Sequence, residues 1–198
     1  MQQPSRSFSV VPAPWRGLAL ALLLAVPLAQ ASAVDALDTA CLDCHRPTQD
    51  RGAVPVIEGQ HADYLRAQLQ RFHDRHREGF PMTALSAGLS SERIQAIADE
   101  LASRPWQSAR PRETGPDTGA GEAVIARFDC ASCHGVDFEG GGGIPRLAGQ
   151  QQDYLERQIR AFGGADRHHP PVAGGSRMYS LSAEEAAAIA ASLAQRGR

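Results

Sequence analysis

The sequence predicts an all-α protein made of two tandem copies of one helical module. Three observations carry that expectation. First, a segment of the N-terminal half returns 90 residues later: Pro55-Val56-Ile57-Glu58-Gly59-Gln60, Asp63-Tyr64-Leu65, Gln68-Leu69 and Phe72 are matched by Pro145-Arg146-Leu147-Ala148-Gly149-Gln150, Asp153-Tyr154-Leu155, Gln158-Ile159 and Phe162. Self-similarity at a fixed period marks a repeated structural unit. Second, Leu65, Leu69 and Phe72 fall at i, i+4 and i+7, as do Leu155, Ile159 and Phe162, which is the spacing of one helix face. Third, no stretch alternates apolar and polar residues convincingly at the strand period of two.

The N-terminus reads as an export signal over residues 1–33. Arg6 and Arg16 give it a positive start, residues 17–29 an apolar run of 13, and Ala31-Ser32-Ala33 a small-x-small cleavage site. At about 1.5 Å per residue such a run falls short of a hydrocarbon core of about 30 Å, which disfavours the alternative of a retained anchor. No later segment is continuously apolar. Cleavage after residue 33 removes two of the 20 basic groups and none of the 22 acidic ones, leaving a charge of 18 − 22 = −4. Such a balance excludes broad electrostatic binding to nucleic acid, which needs clustered cations. A 42% hydrophobic composition excludes a disordered or fibrous chain.

Further helices follow in order. Short ones lead into the cysteine pairs, around residues 35–41 and 121–130. Ser90 caps a helix whose inner stripe is Ile94, Ile97, Ala98 and Leu101. Ser182 and Glu185 form a capping box ahead of Ala186, Ile189, Ala190 and Leu193. Between the halves, residues 103–119 are rich in Pro, Gly and charge. The predicted organisation is an N-terminal domain 34–103, a linker 104–119 and a C-terminal domain 120–198. Each half is small enough that side chains alone give a marginal core, a shortage that a buried apolar plate would answer.

All four cysteines fall in two pentapeptides, Cys41-Leu42-Asp43-Cys44-His45 and Cys130-Ala131-Ser132-Cys133-His134. C-x-x-C-H is the haem c attachment signature: two thiols add to porphyrin vinyl groups and the adjacent His reaches the iron. A thioredoxin-like dithiol would lie in a βαβ pattern, and none is visible. A four-thiolate zinc site would need pairs 89 residues apart to converge, and two disulfides would leave both histidines unexplained. The cofactors expected are therefore two covalently bound haem c, held by Cys41, Cys44, Cys130 and Cys133, with His45 and His134 on iron. Each proximal His needs its second ring nitrogen held; Pro55 and Pro145, each a short way downstream of its His, offer the carbonyl.

Beyond the signal segment only Met82 and Met178 remain, one downstream of each pair. A thioether favours ferrous iron and raises the potential, so these are the candidate sixth ligands; the alternative is that they fill the core. His73, His76, His168 and His169 are the rival ligands. Arg75-His76 and Arg167-His168 occupy matching contexts, and their arginines could neutralise haem propionates or lie in solvent. Gly140–Gly143 resembles a phosphate loop but lacks a following Gly-Lys-Ser/Thr, and reads as flexible chain.

On these motifs the chain resembles the dihaem cytochrome c4 family of class I c-type cytochromes, over essentially all of residues 35–195. The resemblance implies two cytochrome c domains related by pseudo-twofold symmetry, their haems close at the domain interface. It also implies a periplasmic carrier moving electrons between respiratory-chain partners towards a terminal oxidase. The partners would then be redox proteins, with transient membrane-surface contact. Two other readings stay open. One is the dihaem electron-accepting subunit of a periplasmic dehydrogenase, such as flavocytochrome c sulfide dehydrogenase. The other is a small peroxidase or thiosulfate-oxidising enzyme, which would need an open or His/Cys sixth position. No nucleophile, general base or oxyanion site is apparent, so the expectation is that the protein is not an enzyme.

Overall fold

The computed structural model describes residues 40–46, 53–109, 118–164, 167–170 and 181–196. The predicted signal segment and Met178 lie outside them. The described helices are α1 (40–45), α2 (Ala62–His73), α3 (Met82–Ser86), α4 (Ser91–Ser103), α5 (Thr118–Arg127), α6 (Ala131–His134), α7 (Gln152–Gly163) and α8 (Ala183–Gln195). Among the described residues no strand forms; there is one isolated bridge, Gly141 to Ile144. No described helix is long and apolar enough to cross a membrane.

The apolar spacing decides which faces meet. In the first half α2 packs on α4, and Leu65, Ile97, Ala98 and Leu101 join Leu42 of α1 in one buried cluster. In the second half α8 packs on both α5 and α7. Val124, Ile125, Leu155, Ile159, Ala186, Ile189, Ala190 and Leu193 close around Phe128 and Phe138. Both predicted caps are present. The Ser90 side chain accepts from the Arg93 N–H. Ser182 and Glu185 exchange both bonds of the capping box, which satisfies otherwise orphaned helix N–H groups. Gly121 sits where α5 crosses α8, with the Ala188 backbone directly against it.

The first six residues of the connecting segment lie along the domains, with Trp106 half-buried and Ala109 buried while Pro105 and Gln107 face outward. The Trp106 backbone lies so close to Gly59 that a Cβ there would meet its nitrogen at 2.4 Å, and the Gly59 φ of +69° itself favours glycine. Ala109 is buried and its N–H donates to the Gly149 carbonyl at 2.7 Å. The glycine run is likewise an ordered turn, contrary to its sequence reading as flexible chain. Gly141 and Ile144 exchange two backbone bonds of 3.0 Å, and the Gly140 N–H donates to the His134 carbonyl at 2.9 Å. Left-handed φ values at Gly140 and Gly142 make that turn possible.

Two candidate haem sites

α1 ends on His45 and α6 on His134, so each Cys-x-x-Cys-His segment is wound into one helical turn that carries both thiols and the imidazole. None of the four cysteines is in a disulfide. Cys44 and Cys133 are exposed, whereas Cys41 and Cys130 are half-buried, and burial pushes both of their thiols above the ordinary value. The imidazoles are buried. His45 donates from Nδ1 to the Pro55 carbonyl at 2.8 Å, and His134 to the Pro145 carbonyl at 3.1 Å, at the positions the sequence suggested. Those bonds fix the tautomer and leave Nε2 as the free ligand atom. Burial also pushes both rings towards the neutral form, although the proline carbonyls oppose this.

Met82 opens α3 and is half-buried, and α3 packs on α2. Phe80 and Leu85 flank it, both exposed. The rival histidines separate sharply. His73 pairs with Asp74 at 2.9 Å, and His76 and His168 are exposed. His169 instead faces His134, with ring centroids 6.3 Å apart, and meets the Phe162 ring edge-on at 5.1 Å.

The arginine that matches Arg167 is Arg77 and not Arg75. The chain leaves α2 through Asp74 and a left-handed Arg75 (φ 58°), which is exposed. Two residues later the Arg77 N–H reaches the Arg71 carbonyl, as the Arg167 N–H reaches that of Ala161. Each guanidinium then lies over its own half's phenylalanine: Arg77 is 4.5 Å from the Phe72 ring and Arg167 4.4 Å from that of Phe162. Each also crosses to the other half. Arg77 donates to Gln68 at 2.8 Å, to Gln158 at 3.1 Å and to the Tyr154 hydroxyl at 3.3 Å. Arg167 donates to Gln158 and, at 3.0 Å, to Gln68. Burial pushes the Tyr64 phenol above its ordinary value, against the pull of the two guanidinium charges. Two cations thus share a knot of neutral partners, a place suited to an anion.

A second set of cross-half bonds was invisible to sequence reasoning. Gln60 and Gln150, both buried, each form a two-point clamp on the other half's backbone. His61 also crosses, its Nε2 bonding the Glu139 carbonyl at 2.7 Å.

Comparison with known proteins fits this geometry. The family model "Cytochrome c" matches residues 119–196. Cytochrome c4 of Thiocapsa roseopersicina is 30% identical over 147 residues, which is 66% of this chain and 73% of that one. The chain belongs to the dihaem cytochrome c4 family. The structure of cytochrome c4 from Acidithiobacillus ferrooxidans superposes with a TM-score of 0.64 at 25% identity, covering 79% of this chain and 99% of that one. A thiosulfate dehydrogenase from Marichromatium purpuratum gives a TM-score of 0.69 at 30% identity over 79% of this chain, but only 36% of its own length.

The fold is therefore two tandem cytochrome c domains, and the protein is an electron-transfer c-type cytochrome with two covalently bound haem c groups that exchanges electrons with redox partners. The paired thiols, the buried carbonyl-held imidazoles and the cationic knot all suit that cofactor.

Proposed function

We propose that the protein is a periplasmic electron shuttle with two iron sites, the first held by His45 and Met82 and the second by His134 and Met178. Cys41 and Cys44 would attach one haem, Cys130 and Cys133 the other. Bound haem supplies a one-electron couple between ferric and ferrous iron. The protein's own part is to keep the imidazoles neutral and oriented, to exclude water, and to offer Arg77 and Arg167 to the propionates as fixed positive charge. No step calls for a nucleophile or a general base, so we read the chain as a carrier and not an enzyme. We read residues 1–33 as a signal peptide directing export, 34–103 and 120–198 as the haem domains, and a terminal oxidase as the eventual acceptor.

The observation that carries this reading is the duplicated imidazole arrangement: two buried rings, each held through Nδ1 by the carbonyl of a proline a short way downstream. The test is haem stoichiometry with optical and EPR spectra of the purified protein. Two haems per chain, both low-spin and both with the far-red sulfur-to-iron band, support it; a high-spin haem refutes it. Met82→His and Met178→His should each lower one potential and leave the other nearly unchanged.

Two observations favour variants of this reading. The 6.3 Å approach of His169 to His134 supports bis-imidazole ligation at the second site. In that case only one haem shows the sulfur band, and His169→Ala, not Met178→His, alters the second spectrum. The likeness to part of a thiosulfate dehydrogenase supports a dedicated electron-accepting subunit. Stable co-purification with a dehydrogenase would favour that role over a free shuttle.

A further inference from the structure

Each iron-ligand imidazole is wired to a glutamine of the opposite half through a single peptide group. His45 Nδ1–H donates to the Pro55 carbonyl at 2.8 Å. The other end of that peptide unit is the Val56 N–H, which donates to Gln150 Oε1 at 2.7 Å. Gln150 Nε2 donates back to the Val56 carbonyl at 2.9 Å, and its Oε1 also accepts from the Gln151 N–H. The mirror chain runs from His134 Nδ1–H to the Pro145 carbonyl at 3.1 Å. There the Arg146 N–H donates to Gln60 Oε1 at 2.9 Å, and Gln60 Nε2 donates to the Arg146 carbonyl at 3.0 Å. Both glutamines are 3% exposed, so little water competes for either bond.

We infer that Gln60 and Gln150 are positioning residues that set the electron-donating strength of the imidazole in the opposite half, so that each domain tunes the other domain's iron. A peptide whose N–H is bonded to a good acceptor carries more negative charge on its carbonyl oxygen, because bonds in series polarise one another. A more negative carbonyl draws harder on the Nδ1–H and raises the basicity of the ligand nitrogen. More basic imidazole favours ferric iron and lowers the potential. This rests on the proposal that His45 and His134 are iron ligands.

The test uses the full-length protein with both haems attached and each potential assigned to its haem by NMR. Gln150→Leu removes the acceptor, so the N-terminal haem's potential should rise more than the C-terminal haem's, and the His45 Nδ1–H resonance should move upfield. Gln60→Leu should do the same for the C-terminal haem and His134. Mere loosening of the interface would admit water, which favours ferric iron, and would lower the potential instead. Gln150→Glu restores an acceptor and should return the N-terminal potential to the wild-type value or below it, even where the leucine variant fails to fold. A larger shift in the substituted half, or a lowered potential in the leucine variants, overturns the inference. His45→Ala checks its foundation: loss of the N-terminal low-spin spectrum upholds the ligand assignment, and its survival removes the assignment and the inference together.

Discussion

Gly121→Ala reverses the ordinary effect of a glycine-to-alanine change in a helix. Alanine at a free helical position stabilises by about 1 kcal/mol. Here a Cβ would lie 2.2 Å from the Ala188 carbonyl oxygen, 2.7 Å from its carbon and 2.8 Å from Ser192 Oγ. Ordinary contact begins at 3.4 Å, so α5 and α8 must part at the crossing until the 2.2 Å approach has opened to that distance. That movement loosens Val124 and Ile125 against Ile189, Ala190 and Leu193, all of which are buried. Overpacking of this kind costs about 1–3 kcal/mol, and the close approach to backbone places Gly121 at the upper end. The propensity gain offsets about 1 kcal/mol, for a net loss of about 2 kcal/mol. For a domain of this size that lowers Tm by roughly 8–16 °C. Thermal unfolding of the haem-loaded protein followed by far-UV circular dichroism measures it. Gly88→Ala is the control, since a Cβ there meets nothing within 4 Å. A Gly121→Ala protein that melts at or above the wild-type temperature would refute the packing argument.

Other perturbations probe the caps and the core. Ser182→Ala removes the side-chain acceptor for the Glu185 N–H and should cost about 1 kcal/mol in denaturant unfolding. The Arg127 bond, and then the Ser182 backbone N–H, hold the Glu185 carboxyl below its ordinary value of 4.5. Its contribution is therefore complete above that value and lost as pH falls through the depressed one. A pH series of melting temperatures should show Glu185→Gln less stable than wild type at neutral pH, the two converging in acid. Phe138, 1% exposed at the centre of the second cluster, should lose about 3–5 kcal/mol as Phe138→Ala by equilibrium unfolding.

Much of this architecture was legible in the sequence because it is local or periodic. The stripes of α2, α4, α7 and α8, the caps at Ser90 and Ser182, and the His–proline carbonyl pairs all lie within reach of short-range pattern. A repeat, however, shows that two segments are alike and not that they face one another, so the crossing bonds of Gln60, Gln150, Arg77 and Arg167 left no trace in it. The matching of Arg75 with Arg167 failed because it followed the local Asp-Arg-His string and left the 90-residue register, which pairs Arg77 with Arg167, each five residues past its Phe. Gly121 announces itself only as a weak helix former; its purpose is set by a distant neighbour in the chain, Ala188.

Because the reciprocal clamp maps onto itself when the halves are exchanged, every module carries both plug and socket. A C-terminal module produced by itself would keep Gln150 and the Arg146 peptide but lose the sibling that receives them. Two such molecules could then join face to face, Gln150 of each on the Arg146 backbone of its twin, as in an isologous dimer.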